Sequence, residues 1–160
     1  MEIVSYKKQL LEKLLAIAQS KEIEAKENSQ KAQKRANEEE GRMQSRYSTF
    51  KEEGQYLAGG LKGLSESYKA AVSLVRSMMN EDIKENSRVE SLSIVDVEFE
   101  DVAVAKFFIF PVLGGEKIDD LTIINTNAPI AKALLRKEAG DEFILTIDNK
   151  TRRGEIINVQ

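Results

Sequence analysis

Neither histidine nor cysteine occurs anywhere in this chain of 160 residues. Their absence excludes Ser-His-Asp and Cys-His nucleophiles, Cys/His zinc sites, disulfides and thiol redox chemistry. Any metal would have to rest on carboxylate oxygens, which suit a hard cation such as magnesium. Tryptophan is also missing, and the only prolines are Pro111 and Pro129, so nothing of that kind interrupts a helix in the first half. No apolar run approaches the roughly 18 residues needed to span a bilayer. Glu12 and Lys13 break what would be the apolar stretch of a secretory signal. The expectation is a soluble, cytoplasmic protein with no membrane partner. A phosphate-binding glycine loop is excluded too: Gly54 and Gly59 have the spacing, but Gly60 stands at the lysine position.

What is present is charge, at 32% of residues, and it is unevenly spread. Residues 1–80 hold 14 Lys/Arg against 11 Asp/Glu, whereas residues 81–160 hold 10 against 16. A mildly basic half followed by an acidic one suggests two units with different partners. Neither is basic enough for a dedicated nucleic-acid domain, so any RNA contact should be local.

The first half is rich in Lys, Glu, Gln, Ala and Leu, which is helix composition. Its clearest period runs Met43, Tyr47, Phe50, Gly54, Leu57, Leu61, Leu64, Tyr68, Ala71, Val75, Met78, in alternating steps of four and three. That spacing predicts a coiled-coil seam. A weaker seam reads Val4, Lys8, Leu11, Leu15, Ala18, Glu22, Ala25, Ser29, Ala32, Ala36, with small side chains toward its end where two helices meet closely. Residues 1–79 therefore read as an antiparallel helical hairpin with its tip near 38–42, where Gly41 can supply a left-handed turn residue. An arm of about 33 residues reaches on the order of 50 Å at 1.5 Å per residue.

Residues 80–88 read as a polar linker, and beyond it the period changes to two. Val95, Val97 and Phe99 alternate with Ile94, Asp96 and Glu98; apolar runs follow at 102–112 and 121–124, with Gly114-Gly115 as a turn. Pro129 opens a short helix containing Ile130 and Leu134, with Thr126 or Asn127 as cap and Gly140 after it. Residues 143–147, the turn Asp148-Asn149-Lys150 and residues 155–159 complete a hairpin. The fold class is thus α+β, a helical hairpin followed at 89–160 by a small antiparallel β domain with one short helix.

The stretch Ile124-Asn125-Thr126-Asn127-Ala128-Pro129-Ile130-Ala131-Lys132-Ala133-Leu134-Leu135, continuing to Gly140-Asp141-Glu142 and the final Gly154-Glu155-Ile156-Ile157, resembles the C-terminal domain of Gre-type bacterial transcript cleavage factors. That pattern is a small residue, Pro-Ile, another small residue, a helix closing on two aliphatics, then Gly-Asp. It covers roughly 35 residues, and the order of hairpin and sheet agrees with the family as well. The resemblance implies an FKBP-like C-terminal domain that docks on RNA polymerase, with the Pro129, Ile130, Leu134 region as the docking stretch. It implies a coiled coil that enters the polymerase's secondary channel, and an acidic tip that shares a magnesium ion with the polymerase and stimulates cleavage of backtracked RNA. The factor would activate the polymerase's own cleavage and would be no enzyme itself. It would hold no cofactor of its own and would act as a monomer.

Carried over residue by residue from the family tyrosine at Tyr47, the first tip acid falls on Glu40, the basic residue on Arg42, the second acid on Met43 and the third on Arg46. One of the two functional acids is thus kept, with Glu38 and Glu39 adding charge beside it. Glu40 is the implied magnesium contact. Lys31, Lys34, Arg35, Arg42 and Arg46, with Lys51, form a basic collar that the resemblance would turn toward the nascent RNA 3′ end. The acid run also has a simpler explanation as the first turn of the second helix, with Asn37 as cap and Glu40 at the capping-box position; the collar has one as a solvated surface. Other classes stay open: a secondary-channel modulator without cleavage, a coiled-coil structural protein that dimerises along its seam, or an FKBP-like chaperone. The last is disfavoured by a second half with five phenylalanines and no tyrosine or tryptophan.

Overall fold

The computed structural model describes residues 2–39 and 48–160, with the side chains of 2–35, 60 and 63–160. The chain divides into two compact units, one formed by Met1–Lys13 with Met79–Gln160 and the other by Leu14–Met78.

The Leu14–Met78 unit is built from helix α1 (Glu2–Glu39), which also supplies its first turns to the other unit, and helix α2 (Ser48–Met79). No proline stands between their ends, and both are drawn mainly from strong helix formers. Buried positions fall at Leu14, Ala18 and Ala25 on α1 and at Ala71, Val72, Val75 and Met78 on α2, the spacing of two packed stripes. The helices run antiparallel: the Lys21 ammonium lies 5.9 Å from the centre of the Tyr68 ring, and Glu22 and Ser29 share a groove with Lys69 and Ser65. Leu64, which the period places in the seam, is 44% exposed.

The other unit holds a six-stranded sheet made of β1 (Ile94–Phe99), β2 (Val104–Phe110), β3 (Lys117–Ile118), β4 (Leu121–Asn125), β5 (Glu142–Ile147) and β6 (Lys150–Val159) in the order β3-β4-β2-β1-β6-β5. All pairs are antiparallel except β2 with β4, a parallel pair in register Lys106↔Leu121 to Phe110↔Asn125 that corrects the all-antiparallel expectation. The β5–β6 hairpin turns through Asp148 and Asn149, both at positive φ as a type I′ turn requires.

Alternation sorts the two faces. Val95, Val97, Phe99, Ile109, Ile124, Phe143, Leu145 and Ile156 pack on one side around helix α3 (Pro129–Leu134), which contributes Ala131 and Leu134. Phe99 meets Phe143 edge-on at 5.6 Å between ring centres. Gly154 lies between those two strands because a Cβ there would stand 2.5 Å from the Phe143 ring and 3.0 Å from the Glu98 carbonyl oxygen. On the opposite face Phe108 and Phe110 stack at 5.8 Å and are fully buried with Leu121 and Ile123. The first turns of α1 lie at that end of the sheet, where the Lys13 ammonium reaches Asp119 at 3.2 Å. The Tyr6 hydroxyl is pushed above its ordinary range, first by burial and then by the charges of Asp119 and Asp120.

Candidate functional site

Glu38 and Glu39 are the last described residues of α1, and the described part of α2 opens at Ser48. This corrects the capping-box explanation of the acid run. The chain passes Asn37 without leaving the helix, so Asn37 caps no second helix, and Glu38 and Glu39 continue α1. A capping box on the second helix therefore gives no reason for the acids. Their side chains, and Glu40, Arg42, Met43 and Arg46 altogether, lie outside the described residues. Of the basic collar, Lys31, Lys34 and Arg35 are exposed on the final turns of α1, and their i, i+3, i+4 spacing places them on one face.

The stretch that carries the family resemblance is built around Asn125 at the end of β4. Its side-chain amide donates to the Pro111 carbonyl at 3.1 Å, and its Oδ1 accepts the Asn127 amide at 2.9 Å. Its backbone carbonyl takes the Ala128 amide at 2.9 Å. The Asx turn so formed presents Asn127, Ala128 and Pro129, with Pro129 and Asn127 exposed and Ile130 half-buried. Leu134, named with them from the sequence, is fully buried in the core. The cap is Ala128, without a side-chain bond, in place of Thr126 or Asn127. The helix also stops well before Gly140. Arg136 adopts a left-handed conformation (φ 70°), and its amide donates to the Val89 carbonyl at 2.8 Å. Gly140 (φ 90°) serves a later turn, where its amide donates to the Ile156 carbonyl at 2.7 Å.

One polar centre has no counterpart among the sequence-predicted sites. Lys7 is fully buried; its ammonium donates to the Lys84 carbonyl at 2.7 Å and to Asn86 Oδ1 at 2.6 Å. The Asn86 side-chain amide in turn donates to Glu90 Oε1, and the Glu90 amide donates to Ser93 Oγ at 2.9 Å. Burial lowers the Lys7 pKa from 10.5 to about 8, with Glu85 and Glu90 opposing the shift and Lys84 adding to it. The segment read as a polar linker is thus held to the start of α1, and Ile83 within it is buried too. The signal in the sequence was spacing: Lys7 precedes Leu11, Leu14 and Ala18 on one helical stripe.

Among the described residues no helix is long and apolar enough to cross a membrane, and no cluster of three carboxylates stands ready for a metal. No protein-family model and no curated protein sequence matches the chain. Among solved structures it is similar to the GreA factor homolog 1 (Gfh1) protein of Thermus thermophilus, with 16% identity over 94% of each chain and a TM-score of 0.40. It is similar as well to Gfh1 of Thermus aquaticus, with 14% identity over 91% of this chain and 92% of that one and a TM-score of 0.41. To a GreA/GreB transcription elongation factor from Nitrosomonas europaea the identity is 17%, over 66% of this chain and 92% of that one, with a TM-score of 0.38.

Proposed function

We propose that this protein is a Gre-type transcription factor that binds RNA polymerase and inserts its helical hairpin into the secondary channel, where it modulates elongation or stimulates cleavage of backtracked RNA. The observation that carries the reading is that Glu38 and Glu39, followed in sequence by Glu40, stand at the far end of the 38-residue helix α1 with no capping role there. Carboxylates at the end of a long arm, with no capping role left to them, are explained by what the arm reaches. The second support is the Asn125–Leu135 stretch, whose quoted pattern matches the family and whose turn presents Asn127 and Pro129 outward.

In this reading the sheet-bearing unit supplies affinity, with Asn127, Pro129 and the exposed part of Ile130 as the docking surface. Lys31, Lys34, Arg35, Arg42 and Arg46 face the RNA 3′ end, where contacts to phosphate depend on salt and carry no base preference. Carboxylate oxygens are the donors a hard cation takes, so Glu40, supported by Glu38 and Glu39, would contribute to a magnesium ion held mainly by the polymerase. That ion supplies Lewis-acid chemistry; this chain's residues add negative charge beside it and bring no hydrolytic machinery of their own.

A second reading, occupancy of the channel without cleavage, is favoured by Met43 and Arg46, which stand where the family pattern has acids. The two separate in an assay of the full chain on backtracked complexes. The cleaving reading expects faster RNA cleavage that Glu40→Ala abolishes without loss of polymerase binding, and a further increase with Met43→Glu. The channel-occupying reading expects binding with no cleavage from the natural sequence. Absence of binding to the polymerase contradicts both.

A further inference from the structure

Because β2 and β4 run parallel, with Phe110 beside Asn125 at their ends, the segments that leave them start side by side. One is the connection 111–116 to β3; the other is the turn at 126–128 that presents Asn127 and Pro129. The Asn125 side chain joins the two. Its amide donates to the Pro111 carbonyl at 3.1 Å on one side, and its Oδ1 accepts the Asn127 amide at 2.9 Å on the other.

Gly114, in the first of these segments, lies against that same residue. A Cβ at position 114 would stand 3.1 Å from the Asn125 Cβ and 3.2 Å from its backbone nitrogen. Conformation does not ask for glycine here, since among the described residues the glycines at positive φ are Gly115 and Gly140. What asks for it is the close approach, and neither side gives way freely. The Gly115 amide donates to the Ile123 carbonyl and the Ile123 amide to the Glu116 carbonyl, both at 2.8 Å, which ties the connection to β4 just beyond Gly114. Asn125 is held in turn by its pairing with Phe110. An added carbon would be accommodated by drawing Pro111 away or by turning the Asn125 side chain, and each loses one of the two bonds that join the segments.

We infer that Gly114 is a positioning residue for polymerase docking: by letting the connection from β2 to β3 close on Asn125, it fixes the turn that carries Asn127 and Pro129. It acts through the two Asn125 bonds and not by its own contact with the partner. The inference rests on the polymerase reading given above, in which that turn belongs to the docking surface.

A double-mutant cycle on the full chain tests it, with Gly114→Ala and Asn125→Ala made singly and together. Affinity for the cognate core polymerase, the urea midpoint and amide NMR shifts are measured for each. Gly114→Ala should weaken binding about tenfold and shift the amides of Asn127 and Ala128, which lie across the Asn125 side chain from the substitution. In the Asn125→Ala background the same change should alter affinity by less than about twofold, because the bonds it works through are already gone. The urea midpoint should fall in both backgrounds, since alanine at 125 keeps the Cβ and the nitrogen that the added carbon meets. Gly140→Ala, strained at φ 90° in a turn bonded to Ile156, should lower the midpoint and leave affinity unchanged. A Gly114→Ala protein that binds as tightly as the natural chain overturns the inference, as does an equal loss of affinity with and without the Asn125 side chain. If the natural chain does not bind the polymerase at all, the docking reading itself fails and the positioning role falls with it.

Discussion

Burying a lysine ammonium is costly unless its donors are met, and Lys7 makes that cost measurable. Its protonated form is opposed by burial but satisfied by the Lys84 carbonyl and by Asn86 Oδ1, which leaves a pKa of about 8 against an ordinary 10.5. Below about pH 8 the folded and unfolded chains both hold the proton, so the contribution of Lys7 is flat. Between about 8 and 10.5 the unfolded chain keeps a proton that the folded chain has released, and stability rises with pH. At about 1.4 kcal/mol per pKa unit the gain amounts to roughly 3 kcal/mol. Lys7→Met removes this dependence. It also leaves the Lys84 carbonyl and Asn86 Oδ1 without their donor, at about 1–3 kcal/mol for each acceptor that water cannot reach, partly offset by relief of the buried charge. Urea unfolding of the two proteins at a series of pH values from about 7 to 10.5 should show the natural protein pulling ahead by about 3 kcal/mol across that range, other titrations cancelling in the difference. NMR titration of the Lys7 side chain should give a midpoint near 8 directly. A midpoint at or above 10, with parallel stability profiles, would refute the reasoning.

Three further outcomes follow from the geometry. Gly154→Ala should destabilise the sheet-bearing unit by about 1–3 kcal/mol in urea unfolding, since the added carbon meets the Phe143 ring at 2.5 Å and a backbone oxygen at 3.0 Å; an unchanged midpoint would mean that Phe143 moves freely. Asn125→Ala removes the bonds to the Pro111 carbonyl and the Asn127 amide, so amide exchange at 126–128 should accelerate, and polymerase affinity should fall more than global stability, which should drop by about 1–3 kcal/mol. Replacing Lys31, Lys34 and Arg35 together by glutamine should reduce the salt dependence of any RNA contact while leaving α1 helical, read by binding at several salt concentrations and by circular dichroism.

How much of this was legible in the sequence depends on whether the cause is local. The alternation of Val95, Val97 and Phe99 and the stripe through Ala71, Val75 and Met78 report burial directly, so β1 and the last turns of α2 lie where the periods put them. The direction of the β2–β4 pair was invisible, because alternation fixes a strand's faces and says nothing of its partner. Asn37 looked like a cap, yet no glycine or proline between residues 1 and 39 stops α1, and the helix absorbs Glu38 and Glu39. Gly140 looked like the end of α3; Val89, distant in sequence, instead supplies the carbonyl that holds Arg136 in the left-handed region. Lys7 was overlooked for the same reason. A lysine beside an apolar stripe reads as a solvated flank until residues 84 and 86 bring acceptors to it.

The central claim is that the far end of the hairpin reaches the interior of RNA polymerase. A photoreactive amino acid at position 40 of the full chain, irradiated in complex with the cognate polymerase, tests it most directly. The account predicts crosslinks to residues lining the secondary channel near the catalytic magnesium and to the RNA 3′ end, lost when an established channel ligand is added. Crosslinks confined to the polymerase's outer surface, or a chain that fails to co-purify with polymerase at all, would contradict it.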